Sequence, residues 1–213
     1  FSLQGNQQQW SWSGRGRRYS GLAWPGLRGA NQLINAAGVL AAIVAMHSRL
    51  PVAAQDVRLG LARAELAGRF QIVPGQPALI LDVAHNPHSV AAFVANLDAM
   101  GFYPATHAVF GAMADKDLSS MLQRLHPLID HWYFTDLPTP RAASAATLQQ
   151  MWQTASASQP AKLAPATSQT FANPAQALQA ALAAANPADR IAVFGSFYTV
   201  GAVLEEGLPR LAA

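Results

Sequence analysis

The chain has 213 residues, of which 51% are hydrophobic and 12% charged; it carries a net charge of +3 and no cysteine. That length supports one full core and part of a second, since domains commonly run about 100–150 residues, and the low polarity excludes long disordered segments. Without cysteine there are no disulfides or thiolate metal sites, which fits a cytoplasmic setting; no apolar run nears the ~20 residues of a membrane span.

The positive charge is uneven. Arg15, Arg17, Arg18, Arg28 and Arg49 stand among residues 1–50 with no acid, so the rest of the chain is net acidic. A nucleic-acid binder would spread a basic stripe and aromatic platforms over its domain. We read the arginines instead as a solvated or phosphate-facing edge, and expect neither a nucleic-acid nor a membrane partner. The chain opens at Phe1, in a strand-like pattern and without methionine, and is expected to be a fragment of a longer protein.

Residues 1–24 alternate and carry Gly, Gln and Trp, as in Gln9-Trp10-Ser11-Trp12-Ser13-Gly14, which predicts short strands joined by turns. After the breakers Pro25-Gly26 and Gly29, an Ala-rich helix is expected over 31–47, with Pro51 as a boundary. A second helix is expected over 54–66. From there the pattern becomes strand then helix, repeated. A strand at 78–82 precedes a helix at 87–100 with Val90, Phe93, Val94 and Leu97 on one face. Strands at 106–110 and 131–135 precede helices at 118–125 and 145–155. The polar stretch 156–168 is too short for an interdomain linker. A helix at 174–185, a strand at 190–194 and a helix from Tyr198 close the series. Alternating units of this length imply an α/β fold, a mostly parallel sheet with flanking helices.

Ligands of an open parallel sheet bind outside the carboxyl ends of its strands. Three segments fall there: Asp82-Val83-Ala84-His85-Asn86-Pro87, Gly111 to Asp117, and Gly195-Ser196-Phe197-Tyr198-Thr199. Asp82 at a strand tip suits a ribose or a cation; a helix cap or turn is the plainer alternative. His85 and Asn86, just ahead of Pro87, suit a helix start that holds an anion, a carboxylate being the one expected. Gly195-Ser196 offers close backbone approach and a hydroxyl, or merely an N-cap. Lys116, between Asp115 and Asp117, faces a substrate or belongs to a helix start with equal weight. Arg69 is either a phosphate fork or a surface arginine. Asn31, Gln32 and Asn35 share a helix face and are candidates for reading an adenine edge, with capping and solvation as the alternative.

No G-x-x-x-x-G-K-[ST] loop, paired zinc histidines, G-x-S-x-G elbow or G-x-G-x-x-G turn is present. Hydrolase and dehydrogenase readings lose their usual support.

Three motifs carry a resemblance: Leu66-Ala-Gly-Arg-Phe-Gln-Ile-Val73, Leu81-Asp-Val-Ala-His-Asn-Pro-His88 and Phe194-Gly-Ser-Phe-Tyr-Thr-Val200, with Asp115-Lys-Asp117 and Pro140-Arg141 in support. In order and spacing, over residues 29–203, they resemble the bacterial dihydrofolate synthase/folylpolyglutamate synthase family of the Mur ligase superfamily. The resemblance implies a Rossmann-like C-terminal domain at 49–213, preceded by the strand and helix remnant of an ATPase domain at 1–48. It implies that Asn35, Arg69 and Asp82 contact ATP and that His85 and Ser196 contact glutamate. Asn86, Lys116, Asn31 and Gln32 rank second, and Asn31 departs from the histidine that related ligases often carry.

The implied reaction joins L-glutamate to dihydropteroate or a reduced folate, using ATP and magnesium, through an acyl phosphate. The phosphate loop and the magnesium ligands would lie upstream, in the absent part of the ATPase domain, so the fragment alone should be inactive. Another Mur-type ligase acting on a UDP-muramoyl peptide is the near alternative, and a non-catalytic Rossmann-like binding domain the distant one.

Overall fold

The computed structural model describes residues 2–5, 9–27, 29–157, 165–209 and 211. Phe1 of the expected opening strand, Arg28 of the basic cluster and the middle of the stretch 156–168 lie outside them. No described helix is long and apolar enough to cross a membrane. The chain forms two compact units, one ending at Leu66 and the other beginning at Ala67.

In the first unit, strands β1 (Ser2–Gly5), β2 (Gln9–Gly14) and β3 (Arg17–Ala23) form an antiparallel sheet in chain order. The turn from β2 to β3 takes two residues, Arg15 at φ 48° and Gly16 at φ 74°, the left-handed pair that matches a tight hairpin to strand twist. Trp10, Trp12, Tyr19 and Leu22 are buried from this sheet, and full burial of a large apolar side chain contributes roughly 1.5–3 kcal/mol. Helix α1 (Ala30–Ala45) adds Leu33, Ala36, Ala37 and Leu40 at helical spacing, and helix α2 (Ala54–Arg63) adds Val57. The helix expected at 54–66 stops at Arg63 because Ala64 turns to extended backbone, φ −63° and ψ 117°. Val57 packs into this core, and the two compact units divide after Leu66, while the resemblance implied domains of 1–48 and 49–213.

The second unit is a six-stranded sheet in the order β4-β5-β9-β6-β7-β8. Strands β5 (Ala78–Leu81), β6 (Thr106–Phe110), β7 (His131–Thr135), β8 (Thr167–Phe171) and β9 (Arg190–Phe194) run parallel, and β4 (Gln71–Val73) pairs antiparallel with β5. The sheet is mostly parallel, as expected, whereas strands β4 and β8 were not among the expected elements. Alternating strand residues build two cores. Ile80, Phe110, Trp132 and Phe194 pack with α3 (Pro87–Ala99), α4 (Leu118–Leu125) and α5 (Ala145–Ala157). Leu79, Val109, Tyr133 and Val193 pack with α6 (Pro174–Ala184) and α7 (Phe197–Glu205).

Candidate functional site

Because β9 lies between β5 and β6, the three loops singled out in the sequence start from neighbouring strand ends. Asp82 donates its backbone N–H to Val193 O at 3.0 Å, and Thr199 Oγ1 donates to Gly111 O at 2.7 Å. Gly195 has φ 109°, and a Cβ there would stand 2.5 Å from Gly111 O. Only glycine fits that approach.

Asp82 is half-buried, and its two oxygens reach two amides: Oδ2 accepts from Phe70 N at 2.8 Å and Oδ1 from Ala84 N at 2.7 Å. Phe70 has φ 45°, unusual for a residue with a side chain, and follows Gly68 at φ 69°. The carboxylate thus ties the turn that carries Arg69 to the end of β5. Burial pushes the Asp82 carboxyl up from the usual range, against the downward pull of both amides, Arg69 and His85.

His85 places Nδ1 2.8 Å from Val83 O. A carbonyl only accepts, so Nδ1 carries the proton and Nε2 remains for a ligand. The His85 ring lies 6.2 Å from that of Phe197, and the Arg69 guanidinium carbon lies 5.6 Å from the Phe197 centroid. Arg69, Asp82 and His85 are therefore one cluster.

The other candidates divide. Asn86 is the N-cap of α3: Oδ1 accepts from Ser89 N at 2.8 Å, and Ser89 Oγ accepts from Asn86 N at 3.1 Å. Ser196 caps α7, with Oγ accepting from Tyr198 N at 3.0 Å and Thr199 N at 3.2 Å. Since Thr199 gives its own proton to Gly111, the Ser196 hydroxyl donates to Thr199 Oγ1 at 3.3 Å, and its bonding capacity is filled. Lys116 Nζ donates to Asp115 Oδ2 at 2.9 Å, and that contact, first of several, pulls the exposed Asp115 carboxyl down. Asn31, Gln32 and Asn35 lie on α1 in the first unit, where Asn35 Nδ2 donates to Gln32 Oε1 at 3.0 Å.

Sequence reasoning missed Phe70 and Phe197. Phe197 stood inside the singled-out segment Gly195 to Thr199, where only Gly195 and Ser196 were given roles.

At the opposite ends of the strands lies a second polar group. The His107 ring has Nδ1 3.2 Å from Tyr133 Oη and Nε2 3.5 Å from Asp189 Oδ2, and its centroid lies 4.5 Å from that of His131, tilted 32°. Burial pushes His107 down from its usual value, helped by His131 and opposed by Asp189 and Asp130. Buried Arg190 donates from Nε to Thr106 Oγ1 at 2.9 Å and from Nη1 to Leu97 O at 2.6 Å.

Residues 68–197 match the family described as Mur ligase, glutamate ligase domain, and the chain belongs to that family. It is 38% identical over 171 residues to the dihydrofolate synthase/folylpolyglutamate synthase of Escherichia coli strain K12, covering 80% of this chain and 37% of that protein. In structure it is similar to Escherichia coli FolC in complex with DHPP and ADP, with TM-score 0.81 and 34% identity over 96% of this chain and 45% of that one. It is also similar to a bifunctional folylpolyglutamate synthase/dihydrofolate synthase with Mn, AMPPNP and L-glutamate bound, with TM-score 0.76 and 35% identity over the same shares. The chain spans less than half the length of these relatives.

Proposed function

We propose that the chain is the glutamate-side part of an ATP-dependent ligase that forms an amide between L-glutamate and dihydropteroate or a reduced folate. The observation that carries this reading is the cluster of Arg69, Asp82 and His85 at the carboxyl ends of β5 and β9, inside the stretch that matches the glutamate ligase domain family. The names and ligands of the similar proteins support the choice of ATP, glutamate and folate.

ATP activates the acceptor carboxylate by phosphorylating it when bound. Arg69 suits a phosphate-facing role, because its guanidinium makes no hydrogen bond or salt bridge among the described residues and is placed to neutralise phosphate charge. Asp82 keeps a lone pair on each oxygen beyond its two amide bonds, enough to accept from a ribose hydroxyl. His85, fixed through Nδ1, offers Nε2 to the incoming amino acid, and holding two reactants in line lowers the barrier by several kcal/mol. Ser196 acts by fixing the start of α7. Asn86 acts likewise on α3, and Lys116 stays in reserve as a carboxylate partner.

On the first unit, Asn35, with Asn31 and Gln32, is assigned to the adenine edge. The magnesium that accompanies ATP is assigned, on the resemblance, to ligands in the part of its relatives' length that this chain does not cover. The setting is cytoplasmic.

The test is an assay of the full-length protein with ATP, L-glutamate and either pterin acceptor, scoring ADP, phosphate and the glutamyl amide. Extension of a UDP-muramoyl peptide with no pterin turnover would overturn the folate assignment. Nucleotide binding without turnover of any acceptor would favour a binding domain.

A further inference from the structure

We propose that Phe197 is a positioning residue that holds Arg69 and His85 in one frame, so that the nucleotide-side cation and the amino-acid-side imidazole are set together. The inference rests on the functional reading above. Phe197 opens α7 and is 60% exposed, so the sheet core does not account for it. Its ring stands 5.6 Å from the Arg69 guanidinium carbon and 6.2 Å from the His85 ring, tilted 46° to the latter. These residues come from three separate segments: the turn before β4, the loop after β5, and the start of α7.

A guanidinium over an aromatic face is held by the ring quadrupole without using its N–H groups. Its donor fork stays available for an anion. His85 has a second tether, the Nδ1 bond to Val83 O, which leaves the ring's tilt to its neighbour. Phe197 is itself anchored by backbone. Gly195 is pressed against Gly111 O, and the Ser196 hydroxyl accepts from the amides of Tyr198 and Thr199 that follow Phe197. The rigid end of β9 thus reaches both side chains through one exposed ring.

The test compares Phe197→Ala, Phe197→Leu and Phe197→Tyr in the full-length ligase, reading KM for ATP, KM for glutamate and the thermal midpoint. Ala and Leu should raise both KM values about two- to fivefold, the scale of a cation–π contact at a partly exposed site. Tyr should restore both, and the midpoint should hold in all three. Should Ala lower the midpoint, the Leu and Tyr pair decides. In an Arg69→Ala background, adding Phe197→Ala should leave the KM for ATP unchanged.

Leu behaving as wild type would show that bulk suffices and would overturn the proposal. So would a rise in only one KM, or additive effects in the double variant. Wild-type ligation of glutamate with an unaffected Phe197→Ala overturns this inference alone. A wild type that does not ligate glutamate overturns the functional reading and this inference with it.

Discussion

Asp82 Oδ2 accepts the backbone N–H of Phe70 at 2.8 Å, across 12 positions of sequence, and so holds a phenylalanine at φ 45°. The bond joins the Arg69 turn to the strand end from which His85 follows. Asp82→Ala should leave the Phe70 and Ala84 amides without their acceptor and cost roughly 2–6 kcal/mol, at about 1–3 per orphaned donor. Urea unfolding measures the loss, and the KM for ATP of the full-length enzyme should rise with it. Asp82→Asn, which keeps one accepting oxygen, should recover about half of the stability. Unchanged unfolding in Asp82→Ala would show that the turn does not depend on this carboxylate.

Ser196 separates capping from direct contact. Ser196→Ala should cost about 1 kcal/mol through the lost cap, whereas Ser196→Asn should cost only a few tenths because Asn also caps. If the hydroxyl acts only by shaping α7, the KM for glutamate will follow the cap, rising in Ala and recovering in Asn. A KM raised equally by both would instead place the hydroxyl on the ligand.

Gly195→Ala should be among the most damaging substitutions. Its Cβ would stand 2.5 Å from Gly111 O and 2.7 Å from Phe110 Cε2, at a φ of 109°. Backbone strain of about 1–3 kcal/mol and overpacking of similar size predict a loss of roughly 2–6 kcal/mol. Thermal unfolding of the variant checks this, and a near-native midpoint would contradict the described junction.

His107 sets a pH dependence far from the cluster. Its folded value lies below the ordinary one, so the unfolded chain takes up a proton near pH 6.5 while the folded chain still resists. Stability is therefore full above about pH 6.5 and falls as pH drops from there towards the folded value, by at most ~1.4 kcal/mol per pH unit. Urea midpoints from about pH 7.5 to about pH 5 should show the decline, and His107→Gln should flatten it. Equal slopes in the two proteins would remove His107 as the source.

Strands β6 and β9 were legible residue for residue because each ends in a short apolar run, Ala108-Val109-Phe110 and Ile191-Ala192-Val193-Phe194, stopped by a glycine. β8 was not, since Thr167-Ser168-Gln169-Thr170-Phe171 is an edge strand with mostly exposed positions and no apolar alternation. β4, at three residues, is too short to show a period. At the site, the residue types were readable but their partners were not. Asp82 read as a ligand group at a strand tip, while its bond to Phe70 depends on a long-range turn with no glycine at position 70 to announce it. Ser196 presented its hydroxyl and its capping role through the same letters, and only the position of Thr199 Oγ1 shows where the proton goes. Phe197 stood in the segment ahead of a last helix expected from Tyr198, and its exposure, a property of the fold, could not be read there.

Strand β9 is made late in the chain yet pairs with β5 on one side and β6 on the other. A nascent chain emerging from the ribosome therefore carries two central strands with open inner edges until some 80 further residues have followed β6. Such exposed edges invite mispairing, and long-range insertion of a parallel strand is intrinsically slow. The sheet can close only after translation has passed Phe194, so the unit stays open through most of its own synthesis, with its last inner strand as the key that locks it.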